Sequence, residues 1–174
     1  MPSQSLTLAT AGAEDTRDVA RALAGVLRPG DLLVLDGALG AGKTTFTQGL
    51  GEALGVRGPV ASPTFVIARV HPSLVGGSEL VHVDAYRLQG GFEIDDLDLD
   101  ADMDRAVTVV EWGRDRVEHL ADSHLLVQLD RSVSEAPGET DSLDEERSIT
   151  LAGHGPRWAG QAWDELVNAV RSVA

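Results

Sequence analysis

An apolar run, Leu32-Leu33-Val34-Leu35, leads into Gly37-Ala38-Leu39-Gly40-Ala41-Gly42-Lys43-Thr44, and helical periodicity follows at once. The run has the continuous apolar character of a strand buried on both faces, as in the centre of a parallel sheet. The next segment matches G-x-x-x-x-G-K-[ST] in full. Glycines there allow backbone conformations barred to other residues, so that loop N–H groups and the start of the next helix can surround phosphate oxygens. Lys43 is expected to reach the β- and γ-phosphates of a nucleotide, and the Thr44 hydroxyl to meet Mg²⁺. Strand, glycine loop and helix in this order predict an α/β chain, a three-layer P-loop NTPase fold with a mostly parallel central sheet.

The rest of the chain supports that reading. Its 174 residues suffice for one domain with a single core, 1–174. Leu6 to Ala9 reads as a strand, and Glu14-Asp15-Thr16 supplies polar caps for a helix carrying Val19, Leu23, Val26 and Leu27 on one face. Phe46, Leu50, Ala53 and Leu54 mark a second helix, with Gly55 placed to end it in a left-handed cap. Further strands are expected over 65–70, 80–83, 106–110, 125–129 and 147–151, giving about six or seven. Trp163, Leu166, Val167 and Val170 predict a C-terminal helix docked on the core, with Trp158 and Trp163 as docking residues. The acidic stretch 137–146, broken by Pro137 and Gly138, reads as a mobile surface loop.

Composition narrows the partners. A net charge of −14 repels nucleic-acid backbones and anionic membranes, so unaided binding to either is not expected. No cysteine occurs, which removes disulfides and thiolate chemistry. The start of the chain lacks a basic and then apolar leader, and no apolar run approaches the roughly eighteen residues of a membrane span, so a cytoplasmic protein is expected.

The glycine loop alone does not separate GTPase, kinase and ATPase. Lys43 is the sole lysine, which leaves none for the Asn/Thr-Lys-x-Asp signature of guanine recognition. Asp84 after Leu80-Val81-His82-Val83 and Glu111 after Val107-Thr108-Val109-Val110 stand at strand ends, where a carboxylate serves a metal's water shell, orients water or simply caps the next segment. Ser62-Pro63-Thr64-Phe65 occupies the place of a switch segment but also suits a proline turn. His82, Tyr86 and Arg87 flank Asp84, and Arg87 suits a charge stabiliser or a surface ion pair equally. The acidic run 93–104 is no calcium loop: counted from Asp98, Met103 stands where glycine is needed and Val109 where glutamate is needed.

The succession G-A-L-G-A-G-K-T-T, S-P-T-F, H-V-D-A-Y-R-L and V-V-E-W-G, over about Asp15 to Leu151, resembles the TsaE family, formerly called YjeE. Its members are bacterial P-loop ATPases needed for threonylcarbamoyladenosine modification of tRNA. The resemblance implies ATP and Mg²⁺ as ligands, cradled by Gly37, Leu39, Gly40, Ala41, Gly42, Lys43, Thr44 and Thr45. Thr44 and Glu111 would hold the metal, and Asp84 would lie beside its water shell, with Lys43, Asp84 and Glu111 carrying catalysis. It further implies that Thr16, Trp112 and Arg147 approach the nucleotide, and that Ser62 and Thr64 belong to a switch-like loop. The implied partners are TsaD, which transfers the threonylcarbamoyl group to tRNA, and TsaB, its paralogue; the free protein is expected to be monomeric. Where many relatives carry a tyrosine after S-P-T-F/Y, this chain has Arg69-Val70-His71. The rival readings are a small-molecule kinase with Arg114 and Arg116 as phosphate clamps, and a nucleotide-dependent binding module without hydrolysis.

Overall fold

The computed structural model describes residues 4–38, 40–60, 68–85, 103–115, 117–131 and 147–174. The apolar run before the glycine loop forms strand β2 (Leu32–Gly37), and its first four residues are fully buried. It sits at the middle of a seven-stranded sheet with β1 (Gln4–Thr10), β3 (Ala68–His71), β4 (Glu79–Asp84), β5 (Ala106–Glu111), β6 (His124–Arg131) and β7 (Arg147–His154). The order across the sheet is β1-β7-β6-β2-β5-β4-β3.

The sheet is mixed. The central pairings β6–β2, β2–β5 and β5–β4 are parallel, whereas β1–β7, β7–β6 and β4–β3 are antiparallel. The expectation of a mostly parallel sheet therefore holds for the four central strands and fails at both flanks. Those flanking strands are short or alternate in burial, as β7 does from Arg147 to His154, the pattern of antiparallel strands with one wetter face.

Helices α1 (Ala13–Ala24), α2 (Lys43–Leu54) and α3 (Gln161–Arg171) cover one face. Leu33 and Leu35 of β2 pack there with Leu23, Phe46, Leu50, Trp163 and Leu166. Trp158 and Trp163 are buried in this core, as their docking role requires. Leu32 and Val34 point to the opposite face, where Val81, Val83, Met103, Val110 and Val117 form a second, smaller cluster. Among the described residues this second face carries no long helix, so the expected third layer is not seen there.

Local differences from the sequence reading have local causes. Helix α1 begins beyond Gly12, with no side-chain cap on its own N-cap residue, and Asp15 reaches back to accept the Ala11 N–H at 2.8 Å. It ends at Ala24, where the backbone tightens into i→i+3 hydrogen bonds from Gly25, Val26 and Leu27; Val26 and Leu27 still pack against the core as the chain leaves. Gly55 closes α2 with φ 70° and ψ 38°, the left-handed cap expected of it. No described helix is long and apolar enough to cross a membrane. The stretches 93–102 and 137–146, with Ser62, Thr64, Tyr86, Arg87 and Arg116, lie outside the described residues.

Candidate functional site

The C-terminal ends of the parallel strands meet the glycine loop. Gly37 ends β2 with φ 156°, and a Cβ there would stand 2.6 Å from the Leu129 carbonyl oxygen, so no larger residue fits between β2 and β6. Gly42 forms the N-cap of α2 in a left-handed conformation, φ 108° and ψ 18°, and no side chain caps the helix. Its first-turn N–H groups, including those of Lys43, Thr44 and Thr45, are thus turned toward the loop with the positive end of the helix dipole behind them. Ala41 is buried and its N–H meets the Ala38 carbonyl at 3.0 Å. Gly40 has φ 79°; Leu39 lies outside the described residues.

Lys43 is largely buried, and its ammonium folds back to donate to the carbonyls of Gly37 at 2.7 Å and Ala38 at 3.1 Å. It also lies 4.0 Å from the centre of the Trp112 ring, a cation–π contact. Burial pushes the Lys43 pKa below its ordinary value, and Glu111, Asp36 and Asp84 oppose that shift. The cation is therefore undercompensated where it sits, a setting that favours an added anion. Trp112 itself adopts φ 61°, a genuine outlier for a bulky residue, and its N–H bonds to the Leu35 carbonyl at 3.1 Å.

Parallel register sets Asp84 beside Glu111, and Glu111 beside Leu35. Strand alternation turns Leu80, Val107, Val109 and Leu35 toward the helices, and with them His82, Asp84 and Glu111. Both carboxylates are buried. The Thr44 hydroxyl, on α2, lies 3.5 Å from Glu111 Oε1, at the outer limit of hydrogen bonding. Thus three segments far apart in sequence, carrying Lys43 and Thr44, Asp84, and Glu111, converge on one end of the sheet. Thr16 joins them from α1: it is buried, donates to the Gly12 carbonyl at 3.3 Å, and its methyl would lie 3.8 Å from a Cβ on Gly42. Arg147, half-buried, opens β7 opposite Thr10 and Arg131 in register.

Two neighbours, Arg131 and Asp36, escaped the sequence reading, and a third, His82, was named there as flanking Asp84 but given no role. Arg131 Nη1 would stand 3.4 Å from a Cβ on Gly40, two residues beyond the register partner of Gly37. A strand-end cation after the run Leu125 to Leu129 was a signal of the same kind that picked out Asp84. Asp36, the residue before the loop, pairs with Arg114 at 3.0 Å, so one of the two arginines that the kinase reading casts as clamps is engaged by a side chain of β2. His82 is wholly buried beside Glu111.

The profile of the family described as "Threonylcarbamoyl adenosine biosynthesis protein TsaE" matches residues 10–138. The chain belongs to the TsaE family. A Streptomyces coelicolor tRNA threonylcarbamoyladenosine biosynthesis protein TsaE is 58% identical over 144 residues, covering 82% of this chain and 93% of that protein. The Bacillus subtilis protein of the same name is 37% identical over 150 residues, 86% of each. The crystal structure of Bacillus subtilis YdiB superposes with a TM-score of 0.70 at 29% identity, covering 99% of this chain and 97% of that one. Membership ties the chain to tRNA threonylcarbamoyladenosine biosynthesis. The TsaE match includes every site residue above except Arg147, which lies beyond position 138.

Proposed function

We propose that the chain binds ATP with Mg²⁺ on the 37–44 loop and hydrolyses it as an accessory to a TsaB–TsaD complex that modifies tRNA in the cytoplasm. The observation that carries this reading is the approach of Thr44 Oγ1 to Glu111 Oε1, 3.5 Å apart across 67 residues of sequence, beside the buried Lys43. The residues fit the ligands. No three His, Cys, Asp or Glu side chains gather into a metal cluster among the described residues. One hydroxyl and one carboxylate suit Mg²⁺, which keeps much of its shell from water and phosphate oxygens.

In this reading the loop N–H groups and the start of α2 hold the phosphates, and Lys43 exchanges its carbonyl partners for phosphate oxygen. Thr44 and Glu111 hold the metal, whose charge would offset that of the transferring phosphoryl group. Asp84, beside Glu111 in register, serves the metal's water shell or orients the attacking water. Thr16 and Trp112 border the nucleotide, and Arg131 and Arg147 supply cationic charge at the loop's far side. The negative net charge leaves tRNA contact to the partner proteins.

Measuring ATP turnover by the purified protein, alone and with TsaB and TsaD, tests the proposal. Turnover that rises with the partners supports it. Phosphoryl transfer to an added small acceptor favours the kinase, and nucleotide binding with no turnover in either mixture favours the binding module.

A further inference from the structure

His82, in the middle of β4, is fully excluded from solvent, and neither of its ring nitrogens has a hydrogen-bond partner. Buried polar atoms are partnered in the great majority of cases, so an imidazole in this condition calls for an explanation. His71 on the neighbouring strand is better placed, with one nitrogen partnered: its Nδ1 meets the Arg57 carbonyl oxygen at 3.0 Å, while its Nε2 has no partner. For His82 the register neighbour on β5 is Val109, which offers no polar side chain. Nε2 instead lies 3.5 Å from Glu111 Oε1, at contact distance but without hydrogen-bond alignment. The same carboxylate oxygen is 3.5 Å from the Thr44 hydroxyl. Two elements, β4 and α2, therefore bring a polar group to one oxygen of Glu111.

We propose that His82 is a positioning residue for Glu111: its Nε2–H restrains Oε1 and so sets the orientation in which the carboxylate faces the metal site. The inference rests on reading Thr44 and Glu111 as part of an Mg²⁺–ATP site. Strand β5 sets where the Glu111 backbone lies, but the side chain has several torsions of its own, and its register neighbour on β4, Asp84, is a like charge that cannot donate to it when both are ionised. A carboxylate ligand is oriented by a neighbour that is not itself a ligand, and losing such a neighbour lowers metal affinity or activity by about 10–100-fold. In this role His82 touches neither nucleotide nor metal.

The test is calorimetric binding of ADP to the full chain across a Mg²⁺ titration, for the wild type, His82→Phe and His82→Gln. Phenylalanine fills the ring's space without nitrogens; glutamine restores an N–H donor. Metal-free ADP affinity is expected to be equal in all three, while His82→Phe needs about tenfold more Mg²⁺ to enhance binding and His82→Gln recovers most of that loss. A His82→Phe protein with the wild-type Mg²⁺ requirement overturns the inference and leaves the site reading intact. A wild type whose ADP binding ignores Mg²⁺ removes the site reading, and the inference with it. Should His82→Phe fail to fold, ring ¹H–¹⁵N spectra of the wild type and Glu111→Gln decide: a shifted Nε2–H resonance supports the contact, and an unchanged one contradicts it.

Discussion

Two buried carboxylates frame β2, one at each end, and the fold treats them differently. Asp31, just before the strand, accepts from Arg157 Nε at 2.9 Å, from Arg157 Nη2 at 3.1 Å and from the Arg28 N–H at 2.7 Å. Its forked partner also donates to the Val26 carbonyl at 2.8 Å, tying the end of α1 to the turn after β7. Glu111, at the other end, has among the described residues two polar contacts at 3.5 Å, with Thr44 and His82, and the opposite charge of Lys43 nearby. Satisfied buried charge holds a structure together, whereas partly satisfied buried charge persists where function requires it. On the proposed function, the glycine-loop end is the second kind.

The difference can be broken from either side. The largest stability loss is expected from Arg157→Leu, which strands Asp31 with a single N–H partner. Breaking a buried pair of this kind should cost about 3 kcal/mol, at the low end because Arg157 keeps some contact with water. Denaturant unfolding measures it, and ATP affinity of the remaining folded protein should be unchanged.

Lys43→Ala should do the reverse. Removing a cation whose burial already disfavours its charge should lower folding stability by no more than about 1 kcal/mol. ATP affinity should fall by at least about tenfold, because on the proposed function the ammonium would meet phosphate charge in the ground state as well as during reaction. Equilibrium nucleotide binding and denaturant unfolding on the same sample separate the two effects.

The smallest effect belongs to a pair at the Asp31 end of the sheet. His124 of β6 stacks on His154 of β7 with ring centroids 4.6 Å apart. Burial, then the neighbouring His154, lower the His124 pKa below 6.5, with Glu118 opposing. The unfolded chain therefore takes up this proton first as pH falls below about 6.5, so stability declines from there until the folded protein also protonates. His124→Gln should flatten that part of the stability–pH curve, and unfolding midpoints compared between pH 7.5 and 5.5 would reveal it.

How far all this could be read from the chain follows from how local each feature is. Leu32 to Leu35, the glycine loop and the periodicity of α2 are neighbours in sequence, and the strand, the helix and the Gly55 cap formed as expected. Asp84 and Glu111 were legible as strand-end acids, but their placement side by side depends on β4 and β5 being parallel neighbours. Strand order and direction come from long-range pairing, so the alternation along β7 could not by itself place the antiparallel flanks at β7 and β3. His82 was hidden for a related reason. A histidine in the run Leu80-Val81-His82-Val83 looks the same whether its nitrogens find partners or face a carboxylate on the next strand.

The Glu111→Gln variant, assayed for ATP hydrolysis with TsaB and TsaD present, puts the contrast between the two ends of β2 to its most direct trial. The substitution keeps the side chain's size and removes its charge, so ATP should still bind. Hydrolysis should fall by about 10²-fold or more, the scale of losing one preorganised electrostatic contribution. Normal hydrolysis with unchanged Mg²⁺ dependence would contradict this, leaving Glu111 as a strand-end cap and Asp84 as the metal carboxylate.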